Sequence, residues 1–118
     1  MMIPQVSIFG ITGIPEVQQG ADLAELINDS ANTQGTPLKP GDILVVTQKI
    51  VSKSEGQIVN LADVIPSSQA IQFARDNEKD PRHVEIILQQ SKKIIRMKNG
   101  VIISETHHGL CCANAGVD

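Results

Sequence analysis

The chain has 118 residues, a net charge of −3 and a pI near 5.5, with 41% hydrophobic residues. That length and apolar content fit a soluble globular domain with a real core, and no apolar run approaches the ~20 residues of a bilayer-spanning helix. The acidic balance, with two Phe and no Trp or Tyr, leaves neither a global attraction to nucleic acid nor platforms for stacked bases, so nucleic-acid binding is not expected.

From the amino terminus, Met1-Met2-Ile3-Pro4 lacks the basic and long apolar regions of a signal peptide, and a cytoplasmic location is expected. Val6 to Phe9 reads as a short opening strand, followed by the loop Gly10-Ile-Thr-Gly-Ile-Pro15. Leu23, Leu26 and Ile27 follow helical spacing and predict an amphipathic helix of about ten residues from Ala21. Residues 32–40 collect Asn, Thr, Gly and Pro and form the most linker-like stretch. Gly41-Asp42 then launches Ile43-Leu44-Val45-Val46, the continuous apolar run of a strand buried on both faces, and Ile58 to Leu61 reads as another short strand.

The remainder mixes helices and a hairpin. Ser67 or Ser68 can cap a helix that carries Ala70, Phe73 and Ala74 on its inner face. Asp80-Pro81 is a stronger start, because Asp accepts from free helix N–H groups and Pro suits the first helical position. Val84, Ile87 and Leu88 give that helix its apolar stripe. Ile94 to Met97 and Val101 to Ser104 flank Lys98-Asn99-Gly100, a hairpin signal because Asn and Gly tolerate positive φ. The expected class is α+β, a mixed sheet with helices.

Four constellations carry possible chemistry. The loop Gly10 to Pro15 suits either a plain strand-to-helix turn or a nest of backbone N–H groups against phosphate, though its glycine spacing is not a dinucleotide fingerprint. Thr47-Gln48-Lys49-Ile-Val-Ser52-Lys53-Ser54 follows the apolar run, where open α/β sheets usually hold ligands. If it turns helical, Lys49 and Lys53 share a face. They form either a solvated basic face or a clamp on an anion such as a polyphosphate.

His107-His108 and Cys111-Cys112 invite a zinc reading, but immediate neighbours on an extended chain point apart, so at most one of each pair could reach one metal. Nor does proximity in sequence align a Cys–His nucleophile pair. The adjacent cysteines are poorly placed to bridge each other and are expected as reduced thiols. Asp118, after Asn114-Ala115-Gly116-Val117, is either a surface aspartate or one carboxylate ligand of Mg²⁺ or Mn²⁺. The density of chemistry from Ser104 to Asp118 reads as a site begun and left unfinished, which predicts that the polypeptide is the front part of something larger.

Four stretches together resemble one family. They are Gly-Ile-Pro-Glu-Val (13–17), Gly-Asp-Ile-Leu-Val-Val-Thr-Gln-Lys-Ile-Val-Ser-Lys-Ser-Glu-Gly (41–56), Lys-Asp-Pro-Arg-His-Val-Glu (79–85) and Glu-Thr-His-His-Gly-Leu-Cys-Cys-Ala-Asn-Ala-Gly-Val-Asp (105–118). Their order and spacing closely resemble the coenzyme F-420:L-glutamate ligase family, whose amino-terminal part would span residues 1–118.

The resemblance implies GTP-dependent ligation of L-glutamate to the deazaflavin precursor coenzyme F-420-0, with γ-glutamyl tail extension through an acyl phosphate and two divalent metals, Mg²⁺ or Mn²⁺. It implies GTP contacts at Thr12, Gly13, Ile14 and Pro15, a second set at Gln48, Lys49 and Lys53, and a metal ligand at Asp118. No residue is assigned a catalytic role. The family continues past this aspartate with Ser-Asn and later metal ligands, so this chain by itself is expected to be inactive. A homodimer or a second chain supplying the missing part is the expected partner. A non-catalytic nucleotide- or metal-binding fragment and a structural interaction module are the alternative readings.

Overall fold

The computed structural model describes all 118 residues. They form two compact units, Met1–Ile58 and Val59–Asp118. Four helices and a three-stranded antiparallel sheet make the chain α+β. No helix is long and apolar enough to cross a membrane.

In the first unit, α1 spans Leu23–Gln34 and α2 spans Gln48–Ser54. Asp22 starts α1 by accepting from the Glu25 N–H at 3.0 Å, which satisfies one of the unpaired donors at a helix start. Gly35 ends it at φ 86°, a left-handed conformation that glycine adopts without a Cβ clash. Residues 32–34, expected in a linker, are therefore the last turn of this helix. Val17, Ile27 and Ala31 are the buried apolar residues of the unit.

The strands expected at Val6–Phe9, Ile43–Val46 and Ile58–Leu61 are not formed. A strand is defined by its pairing, and an apolar run whose N–H and C=O groups meet no ladder partner has nothing to fix it. Ile43 and Val45 are 87% and 94% exposed, whereas Leu44 and Val46 are 48% and 40% exposed. The run thus keeps the two-residue alternation of an extended chain, and neither face has the burial expected of it. Leu61–Asp63 is a short 3-10 turn, with the Asn60 side chain accepting from the Ala62 N–H.

The second unit follows the expected cues closely. Ser67 caps α3 (Ser68–Asn77), and Asp80 caps α4 (Pro81–Gln90) with Pro81 in the first turn. Glu85 Oε2 accepts from the Ser67 N–H at 2.8 Å and so ties α4 to the start of α3. That contact with Ser67 holds the Glu85 carboxyl below the usual carboxylate range. Helix α4 passes without a loop into β1 (Ser91–Lys98), which pairs with β2 (Val101–Thr106), and β2 pairs with β3 (Cys111–Ala113).

Asn99 and Gly100 turn the β1–β2 hairpin at φ 51° and 74°. Two register shifts interrupt β1, between Ser91 and Lys93 and between Ile94 and Arg96. Each inserts one surplus residue, so Ile94 and Met97, three apart, both pack on the core. That core joins Ala70 and Ala74 of α3, Val84 and Ile87 of α4, Ile102 of β2, and Ala115.

Candidate functional site

In the first unit, the loop Thr12–Pro15 is held from one side by α1. Gln34 Oε1 accepts from the Thr12 N–H at 2.7 Å and from Thr12 Oγ1 at 2.9 Å. The other end of the same amide donates to the Gly10 carbonyl at 2.9 Å and to Thr36 Oγ1 at 3.0 Å. One glutamine side chain therefore satisfies groups on both sides of Ile11 and fixes the path of the loop. Gly13 sits at φ 78° within it, a conformation open to glycine.

Between this loop and α1 lies a shallow cleft of about 300 Å³, lined by Thr12, Gly13 and Pro15 together with Asp29, Thr33 and Gln34. Its one charged group is the Asp29 carboxylate. The cations stand elsewhere. Helix α2 places Lys49 and Lys53 one turn apart on a common face, with Lys49 exposed and Lys53 half-buried.

Lys53 Nζ is ion-paired with Glu16 Oε1, on the residue next to Pro15. Lys53, with its hydrogen bond, holds the Glu16 carboxyl below its ordinary range. Two further contacts hold residues 19 and 20, just after Glu16, against the end of α2 and the turn that follows it. The Gly20 N–H donates to the Ser54 carbonyl at 2.8 Å, and the Gln19 side chain crosses so close to Gly56 that a Cβ there would overlap it.

Of the sequence-expected positions, the Thr12–Pro15 loop and Lys53 are thus brought to neighbouring places, joined through Glu16. Gln34 and Glu16 carry the geometry of this region, and sequence reasoning singled out neither as a site residue. Gln34 ends a helix and Glu16 follows a proline. Neither position signals a partner that lies 22 or 37 residues away.

Asp118 belongs to the second unit. It follows Asn114, Ala115 and Gly116, which sit at φ 53°, 51° and 72°. Two non-glycine residues in left-handed conformation cost of order 1–2 kcal/mol each, so the surrounding structure must hold them. Asn114 Oδ1 accepts from the Ile102 N–H at 3.3 Å, and the Ala115 methyl is buried in the core. The backbone that presents Asp118 is therefore firmly seated, and its residue is exposed.

No group of three or more His, Cys, Asp or Glu side chains is placed to hold a metal ion. His107 and His108 lie in the turn between β2 and β3, and His107 Nε2 stands 3.1 Å from the Gln89 carbonyl. Cys111 and Cys112 are both free and are neighbours on β3, opposite Glu105 and Ser104, so their side chains leave opposite faces of the strand.

The family described as "F420-0:Gamma-glutamyl ligase" matches residues 12–118. The chain is 46% identical over 113 residues to "Coenzyme F420:L-glutamate ligase" of Methanothermobacter thermautotrophicus, covering 96% of this chain and 45% of that protein. It is 44% identical over 103 residues to the protein of the same name from Methanopyrus kandleri, covering 87% and 39%. Against the namesake from Methanocaldococcus jannaschii it is 42% identical over 94 residues, covering 80% and 38%. The chain thus spans less than half the length of each of these relatives.

Proposed function

The chain belongs to the F420-0:gamma-glutamyl ligase family, and on that footing we propose that it serves the GTP-dependent attachment of L-glutamate to coenzyme F-420-0. In the proposed reaction a carboxylate oxygen of F-420-0 attacks the γ-phosphorus of GTP, and the bond to the β-phosphate oxygen breaks as GDP leaves. The amine of glutamate then attacks the acyl-phosphate carbon. The carbon–oxygen bond breaks, inorganic phosphate leaves with the electron pair, and the amine gives up a proton to solvent. A repeat on the new glutamate would extend the γ-linked tail.

Such chemistry depends on positioned charge more than on covalent participation of the protein. The observation that carries the reading is the meeting of Lys53 with the residue after Pro15, with Lys49 one helical turn away. In this reading the Thr12–Pro15 loop offers backbone groups to GTP, braced by Gln34, and Gln48, Lys49 and Lys53 supply the second set of contacts. The ammonium groups attract phosphate oxygens and fix their orientation.

Asp118 is proposed as one carboxylate ligand of a Mg²⁺ or Mn²⁺ ion, which when bound would neutralise phosphate charge. A single carboxylate does not make that site, and no other ligand set converges in this chain. The remaining ligands would come from the additional length that the relatives have.

The test is calorimetric titration of GTP into the chain, followed by an assay with GTP, Mn²⁺, L-glutamate and F-420-0. Saturable GTP binding without glutamylated product is expected of the chain alone. Absence of any GTP binding would overturn the nucleotide reading, and robust product formation would overturn the incompleteness of the metal site.

A further inference from the structure

The Glu16–Lys53 pair is held from its backbones and is not a chance meeting of two long side chains. Pro15 fixes the chain direction just before Glu16, and Val17 just after it is buried at 6% exposure. On the other side, Ser54, next to Lys53, accepts the Gly20 N–H at 2.8 Å. Both Cα positions are therefore set by contacts that do not involve the two charges.

The two side chains differ in freedom. That of Glu16 is 71% exposed and can turn into water, whereas that of Lys53 is 29% exposed and keeps its stem against the protein. The pair also cancels charge. A phosphate approaching α2 meets the full charge of Lys53 only after the carboxylate has let go, because two anions against one ammonium repel each other.

We infer that Glu16 is a built-in competitor for nucleotide phosphate on Lys53. Its carboxylate takes the phosphate's place on the ammonium and swings out to water when a nucleoside triphosphate binds. The inference rests on the reading of Lys53 as a phosphate contact. Glu16 then lowers nucleotide affinity, so this anion site is weaker than its two lysines alone would make it. It acts through Lys53 and touches no reacting atom.

The experiment is a double-mutant cycle on GTP affinity, measured by calorimetry on the full chain with Glu16→Gln, Lys53→Ala and the two together. Glu16→Gln should tighten GTP binding by about two- to fivefold, in keeping with the modest strength of exposed ion pairs. The gain should vanish when Lys53 is already Ala. Melting curves of each variant separate this effect from loss of fold. Unchanged or weaker binding in a folded Glu16→Gln protein, with Lys53 still required, would overturn the competitor and leave the lysine contact standing. GTP binding that ignores Lys53, or a gain that persists without it, would overturn the inference together with its premise.

Discussion

Thr12 and Gln34 are joined twice through a single oxygen, which takes the Thr12 N–H at 2.7 Å and its hydroxyl at 2.9 Å. The last residue of α1 therefore sets the conformation of a loop 22 positions earlier. Gln34→Ala should release that loop. Each neutral hydrogen bond contributes about 0.5–1.5 kcal/mol net, so the Thr12 amide should exchange with solvent roughly tenfold faster while α1 stays protected. Amide exchange followed by NMR reads this directly. An unchanged Thr12 rate would mean that the loop is held by something other than Gln34.

Lys53→Ala should weaken GTP binding far more than Lys39→Ala. Loss of a charge-assisted phosphate contact costs about 1.5–3 kcal/mol, roughly ten- to hundredfold in affinity. Lys39 lies in a surface loop, where its backbone N–H, not its ammonium, bonds Asp42 at 2.8 Å. Equal affinities for the two variants, measured by calorimetry, would remove the α2 lysines from the nucleotide site.

Asp80 predicts a pH signature. Its side chain accepts from Arg82 Nε at 3.1 Å, from Nη2 at 2.7 Å and from the Arg82 N–H at 2.8 Å, which lowers its pKa to about 2 from an ordinary 3.8. A carboxyl with a depressed folded-state pKa contributes its full stabilisation above the unfolded value and loses it as pH falls through the folded one. The difference in melting midpoint between the parent and Asp80→Asn should therefore be flat from neutral pH down to about 4 and shrink toward pH 2. A difference that disappears already at pH 5 would place the stabilisation elsewhere.

Ser104 is fully buried, faces Ile94 and Cys112 across the two ladders, and its hydroxyl oxygen has no hydrogen-bond partner. An unmet buried hydroxyl costs about 1–3 kcal/mol, which deletion recovers in part while losing some packing. Ser104→Ala should be neutral or more stable by up to about 1 kcal/mol in denaturant unfolding. A loss of 2 kcal/mol or more, on the scale of a broken buried bond, would show that the hydroxyl is engaged.

The local signals were legible. Ser67, Asp80-Pro81 and Asn99-Gly100 each act within a few residues of themselves, and each sits in the structure as its chemistry requires. The apolar runs at residues 6–9 and 43–46 were not, because pairing depends on a partner strand and the runs themselves do not specify one. The site divides in the same way. Two lysines four apart could be placed on one helical face from spacing alone, whereas the carboxylate that meets Lys53 is 37 residues away and hidden by that distance. A further sheet strand, Cys111–Ala113, was obscured by the ligand-like residues around it.

The two register shifts in β1 make the hairpin tolerant of changes in length. β1 uses eight residues against six in β2, and the unpaired surplus is Lys92 and Ile95. Around them the paired residues keep strict alternation: Lys93, Arg96 and Lys98 are exposed, and Ile94 and Met97 are half-buried. Deleting Ile95 would let Ile94 and Arg96 follow each other in an unbroken ladder, with no side chain changing face. Deleting Met97 instead would leave the core one side chain short. Among homologous chains, gains and losses of single residues should therefore collect at these two positions, where the hairpin can be shortened without turning it inside out.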